Sequence, residues 1–156
     1  MSYLSVVSLA DAKTFLRIDD TLNEDNNQIT SMIKSACRMI EKRTNHLFYA
    51  RSKTYLFQEF CVYVYDYPIN SVTSPTDTTE TKYELYNIYE TNSSANTELV
   101  LNVGYSGPAN VPDELVQCAL ELVKFMYYEA ESNKVMYGML PIWLQNAIDY
   151  NKRFII

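Results

Sequence analysis

The residues able to do chemistry are few in this chain. His46 is the one histidine. No second histidine or nearby cysteine stands with it, so neither an HExxH zinc helix nor a histidine–cysteine site can be built around it. Cys37, Cys61 and Cys118 are odd in number, widely spaced and free of any CxxC pairing. Each sits among apolar neighbours and reads as a small buried hydrophobe in a reducing assembly environment. The three glycines, Gly104, Gly107 and Gly138, leave no room for a GxGxxG or Walker loop, and no GxSxG elbow occurs. Asp19, Asp20, Glu24 and Asp25 are the densest carboxylates. They lack the alternating ligands, central glycine and terminal glutamate of a calcium loop, and read as a solvated turn that caps the next helix. No metal, no cofactor and no catalytic residue is expected.

The charges suit assembly better than catalysis. Thirteen Lys and Arg against 19 Asp and Glu leave a net charge of −6. Nucleic-acid binders carry a basic footprint for phosphates, so a tight grip on DNA or RNA is not expected, while passage of DNA close by is allowed. Lys34, Arg38 and Lys42 recur every fourth residue and form a basic ridge, either a solvated helix face or a dock for an acidic neighbour. From residue 66 to 98, six acids (Asp66, Asp77, Glu80, Glu84, Glu90 and Glu98) meet one base, Lys82. Fourteen tyrosines are several-fold above ordinary usage. Tyr joins an apolar body to a polar tip, which suits a β-rich core with amphipathic edges or an interface.

These residues need elements to position them. Ser8 reads as the N-cap of a short helix with Leu9, Ala12, Phe15 and Leu16 on one face, ending near residue 17. A polar connector leads to a second helix over about residues 24–44, whose apolar stripe is Ile29, Met32, Ile33, Ala36, Met39 and Ile40. Residues 51–67 then alternate with period two. Tyr55, Phe57, Glu59, Cys61, Tyr63 and Tyr65 fall on one face, and Leu56, Gln58, Phe60, Val62 and Val64 on the other. Both faces are apolar enough to need cover. Residues 70–81 read as a long exposed loop. Residues 82–90 and 98–105 read as two strands joined by a polar hairpin loop. Val111-Pro112-Asp113-Glu114 opens a third helix, read as the longest and most central. A short fourth helix follows Pro141 with Trp143, Leu144, Ala147 and Ile148, and the chain ends on an apolar tip, Phe154, Ile155 and Ile156. The expectation is one α+β domain over residues 1–156, mostly helical: two N-terminal helices, a small antiparallel sheet with long loops, a long core helix and a short C-terminal helix. No charged leader with an apolar run and no stretch of about 20 apolar residues occurs, so neither a signal peptide nor a membrane anchor is expected.

The order of several pieces resembles the phage head–tail connector, or head-completion adaptor, family. They are Ser8-Leu9-Ala10-Asp11-Ala12-Lys13 through Phe15-Leu16-Arg17-Ile18-Asp19-Asp20; Glu24-Asp25 leading to Ile33-Lys34-Ser35-Ala36 and Ile40-Glu41-Lys42-Arg43-Thr44; Tyr67-Pro68-Ile69 with Ser71-Val72; Val103-Gly104-Tyr105 and Val111-Pro112 with Leu115, Gln117 and Ala119; Tyr127-Tyr128-Glu129; and Leu140-Pro141. Together they span almost the whole chain, with the Tyr-rich strand region matching least. The resemblance implies a structural virion protein: a ring of identical subunits, commonly twelve, between the portal and a tail or stopper protein, which extends the channel for double-stranded DNA without cofactor or catalysis. It places the protein in the neck of a virion assembled in the host cytoplasm.

A ring needs two different surfaces of one subunit to meet. The expected pair is the ridge of Lys34, Arg38 and Lys42 against acids of the next subunit, Glu121 and Glu129 or some of those between residues 66 and 98. Asp77, Glu80 and Glu84 are expected to face the neighbour or the channel, where negative charge lets DNA slide. The tip Phe154–Ile156 either docks on the portal or folds back on its own core. Competing readings are a stopper or tail-completion protein of the same neck, a small helical DNA-binding regulator whose first two helices mimic a helix-turn-helix, and a small enzyme of unknown type.

Overall fold

A computed structural model describes residues 2–92, 97–129 and 135–152. Five helices and six strands follow one another as α1 (Tyr3–Val6), α2 (Leu9–Leu16), α3 (Asn26–Thr44), β1 (Arg51–Leu56), β2 (Cys61–Val64), β3 (Ile69–Ser74), β4 (Thr78–Lys82), β5 (Asn87–Thr91), β6 (Glu98–Val103), α4 (Asp113–Tyr128) and α5 (Ile142–Tyr150). The class is α+β with antiparallel strands, as the element order implies. The sequence reading did not find α1, a single turn that buries Tyr3.

Local signals set the helix ends. Ser8 accepts the Asp11 N–H at 3.0 Å while Asp11 accepts the Ser8 N–H at 3.3 Å, a reciprocal cap that starts α2. Arg17 and Asn45, both in the left-handed region, end α2 and α3. Pro112 and Pro141 stand immediately before α4 and α5. The connector between α2 and α3 is held from inside. The buried Lys13 donates its ammonium to the carbonyls of Asp20 and Leu22, at 3.1 and 2.6 Å. Asp19 caps the turn through the Thr21 amide and hydroxyl, which holds its carboxyl below the usual range.

The helices share one core. Ile29, Ile33, Ala36 and Ile40 of α3 meet Leu115, Ala119 and Leu122 of α4 and Leu144 and Ile148 of α5, and all are buried. Burial of such side chains is worth roughly 1.5–3 kcal/mol each for the large aliphatics. With 19 residues against 16, α3 is longer than α4, which corrects the expectation that α4 is the longest. Trp143 of α5 is 57% exposed, whereas Leu144 and Ile148 of the same helix are buried.

The strand region departs further from its reading, and the reason lies at one turn. Gln58 and Cys61 exchange backbone hydrogen bonds around Glu59, whose φ is +60°. The turn splits residues 51–67 into β1 and β2 and reverses the alternation. In β1 the odd positions are the more buried; in β2 the even positions Val62 and Val64 are. The strands then enter different three-stranded sheets, ordered β1-β6-β3 and β2-β5-β4. Residues 70–81 contain most of β3 and of β4 rather than one long loop, because these are edge strands rich in Ser and Thr that largely face water. Residues 83–86 form a turn ahead of β5. The strands β5 and β6, expected to form a hairpin, pair in separate sheets. Leu99, Leu101 and Val103 of β6 join Leu47, Val62, Val64 and Tyr89 in a second core that both sheets share.

Two devices join the helical core to the sheets. Residues after α3 run beside Tyr67, with Leu47 N–H donating to the Tyr67 carbonyl at 2.8 Å and Tyr105 N–H to the Leu47 carbonyl at 3.0 Å. Glu41 of α3 is the other. Its buried carboxylate accepts from the Tyr3 hydroxyl, the Phe48 amide and the Arg51 guanidinium, each at 2.8 Å.

Candidate assembly interface

The basic ridge is present as read: Lys34, Arg38 and Lys42 all lie exposed along α3. None of the three makes an ion pair among the described residues. The neighbouring bases are spent internally. Arg43 forms a two-point pair with Asp149 of α5, at 2.9 and 3.3 Å, and stacks over the Tyr137 ring at 4.3 Å. That hydrogen-bonded guanidinium holds the Asp149 carboxyl below its ordinary value. Arg51 pairs with Glu41, whose hydrogen bond and charge outweigh the desolvation of Arg51 and raise its pKa. Lys53 pairs with Asp66, which also accepts from the Tyr55 hydroxyl.

Arg38 and Lys42 form a divide between two clefts. On one side lies a hollow of about 660 Å³ with a largely apolar floor of Met39, Met126, Val135, Met136 and Tyr137. On the other lies a smaller one of about 310 Å³ that reaches Asn45, Arg51 and Asp66. A positive edge over a methionine-rich floor can adapt its shape, since Met fills irregular gaps.

The expected acidic counterparts are not gathered in one place. Glu121 lies on α4, where Gln117 donates to it at 3.4 Å, and Glu129 stands exposed at the C-terminal cap of the same helix. Glu80 turns inward on its sheet. It accepts from Asn87 at 2.7 Å and from the Tyr89 hydroxyl and pairs with Lys82 at 3.4 Å. Burial opposes its charge, but the hydrogen bonds and Lys82 prevail and lower its pKa. Asp77 and Glu84 are exposed at the two ends of β4. Phe154, Ile155 and Ile156 lie outside the described residues.

One surface was missed. The outward face of the second sheet carries Cys61 and Tyr63 of β2 and Ile88 and Glu90 of β5, in register as Tyr63–Ile88 and Cys61–Glu90. Tyr63 is 49% exposed on this face, and Phe60, in the turn that leads into β2, is 54% exposed. Tyr63 and Tyr65 both pack on Tyr86, which stacks on Tyr83 at 4.8 Å. A cleft of about 530 Å³ at the end of this face is lined by Glu59, Phe60, Cys61 and Glu90. The tyrosine count signalled such a surface, but its members come from separate strands and a turn.

Of the three cysteines expected to be buried, Cys61 is instead only partly covered on β2. His46 Nδ1 is 2.7 Å from the Tyr105 hydroxyl, at the seam between helices and sheets. Cys37 and Cys118 are buried thiols, and desolvation raises Cys37 to about 12 and Cys118 above its ordinary value. Among the described residues, no cluster of three His, Cys, Asp or Glu could hold a metal ion, and no helix is long and apolar enough to cross a membrane.

Residues 6–140 match the family of phage gp6-like head-tail connector proteins. The chain belongs to that family. No curated protein sequence matches this connector. Solved structures of the same fold include a chain from the virion of a native gene transfer agent particle, with TM-score 0.74 and 14% identity over 100% of this chain and 94% of that one. A chain from the neck of an empty gene transfer agent particle, computed with C6 symmetry, gives 0.72 and 15% over 97% and 91%. A third, from the neck of the native particle computed with C12 symmetry, gives 0.70 and 14% over 99% and 92%. The family match includes the ridge of the connector, its second sheet and all of α4.

Proposed function

We propose that this protein is a structural subunit of a virion neck, a non-enzymatic connector that forms a closed ring between portal and tail or stopper and prolongs the DNA channel. The observation that carries the reading is the family match over residues 6–140. The resemblance to a neck computed with C12 symmetry supports twelve copies per ring. The whole chain, residues 1–156, acts as one domain in this reading, because Glu41 and the backbone bonds around Leu47 couple the helical core to the sheets.

The ridge of Lys34, Arg38 and Lys42, without an ion pair among the described residues, serves as one half of the subunit interface. Acids of the neighbour supply the other half, with Glu121 and Glu129 on α4 as candidates. Asp77 and Glu84 face the neighbour or the channel, whereas Glu80 contributes chiefly to its own sheet. The apolar tip Phe154–Ile156 docks on the portal. Deleting residues 152–156 is then expected to abolish portal binding and leave the fold intact by circular dichroism; loss of the fold would assign the tip to the subunit's own core.

Native mass spectrometry tests the reading directly, on the protein alone and mixed with the portal protein of the same genome. A closed ring, or a discrete multi-copy complex on the portal, is expected. A monomer under both conditions would overturn it.

A further inference from the structure

We infer that the aromatic outer face of the second sheet is the surface that receives the α3 ridge of an adjacent copy. The inference rests on the ring reading and names the two halves of its interface, with the sheet acids Glu59 and Glu90 in place of Glu121 and Glu129. The occupant is a second copy of this chain because the two surfaces complement each other in charge and in shape. The sheet offers Glu59 and Glu90, exposed and without an ion pair among the described residues. The ridge offers Arg38 and Lys42, exposed and equally unpaired. Two other acids of the strand region are already engaged: Asp66 by Lys53 and Tyr55, and Glu80 by Asn87, Tyr89 and Lys82.

The apolar parts match as well. Phe60 and Tyr63 project beside the two glutamates and are costly to leave in water. The hollow beside Arg38 is floored by Met39, Met126 and Met136 and can take such aromatic knobs. Arginine also favours aromatic faces, so Arg38 can lie against Tyr63 while pairing with Glu90. The surfaces sit on different elements, one on a helix and one on a sheet. Their meeting is therefore head-to-tail, the kind of contact that closes a ring when the rotation per subunit permits.

A charge swap tests this. Arg38→Glu and Glu90→Arg each change an exposed residue without an internal ion pair, so the circular dichroism spectrum and melting point are expected to stay close to wild type. Each alone is expected to raise the protein concentration needed for half assembly by about tenfold or more, and the double swap to bring it back to within about threefold of wild type. If Glu90→Arg disturbs β5, Glu59→Lys at the turn reports on the same contact. A wild-type protein that assembles neither alone nor on the portal overturns the ring reading, and this inference with it. Assembly of the wild type together with unimpaired single reversals, or a double swap that restores nothing, overturns the inference alone.

Discussion

Glu41 is buried within a helix and accepts hydrogen bonds from three donors in three different segments. A buried carboxylate is tolerated only when paired and hydrogen-bonded, and losing one partner strands the others. Glu41→Ala would leave the Phe48 amide and the Tyr3 hydroxyl without their acceptor and Arg51 without its counter-charge. The expected cost is about 3 kcal/mol in urea unfolding, and a loss under about 1 kcal/mol would show that water replaces the carboxylate. Gly104 makes a backbone argument of the same kind. Its φ is +109°, and a Cβ there would stand 2.2 Å from the Tyr49 carbonyl oxygen. Gly104→Ala is thus expected to destabilise by at least about 2 kcal/mol. A near-neutral melting shift would mean that residues 49–50 move aside at little cost.

At the scale of elements, α5 is held to α3 by apolar packing and by the pair between Arg43 and Asp149. Both side chains are more than a third exposed, so solvent screens the pair and its worth is about 0.5 kcal/mol. The Arg43 hydrogen bond depresses the Asp149 pKa in the folded state. A depressed carboxyl contributes stability above its unfolded pKa, about 3.9, and that contribution disappears as pH falls through the lower folded value. Asp149→Asn should therefore melt about 1–2 °C below wild type at neutral pH and coincide with it near pH 2; a constant gap at both would assign the loss to packing. The same end of the molecule shows what the sequence could tell. Helix limits were legible because Ser8, Asp11, Pro112 and Pro141 are local signals that act within one turn. The ridge was legible because a four-residue spacing fixes a face. Strand partners were not, since the turn at Gln58–Cys61 reverses the alternation with no glycine to mark it. Nor could Arg43 be told from Lys42: one side chain finds Asp149, more than a hundred residues away, and the other finds water. The aromatic face was illegible for a related reason, as Glu59 and Glu90 meet only through the pairing of β2 with β5.

For the whole molecule, the question is how a ring proposed to surround DNA would avoid holding it. Affinity for DNA comes mainly from cations that displace condensed counterions, and it falls steeply with salt. Each subunit here carries a net charge of −6. Of its bases, Arg43, Arg51, Lys53 and Lys82 are paired with acids of the same chain. In the proposed ring, Arg38 and Lys42 are covered by the next subunit, which removes the most concentrated positive surface from any DNA in the channel. The remaining acids set a negative potential that repels phosphates at short range and is screened beyond about 10 Å at 0.1 M salt. The purified ring is accordingly expected to show no measurable retention of a double-stranded DNA fragment in a gel-shift experiment at about 0.1 M salt. Disassembly should change this in a definite direction. Arg38 and Lys42 become available in the monomer, so weak, salt-sensitive binding is expected from free subunits of Glu90→Arg, and less from those of Arg38→Glu. Tight binding by the intact ring would place a basic surface on the channel wall and return Lys34, Arg38 and Lys42 from the subunit contact to the DNA.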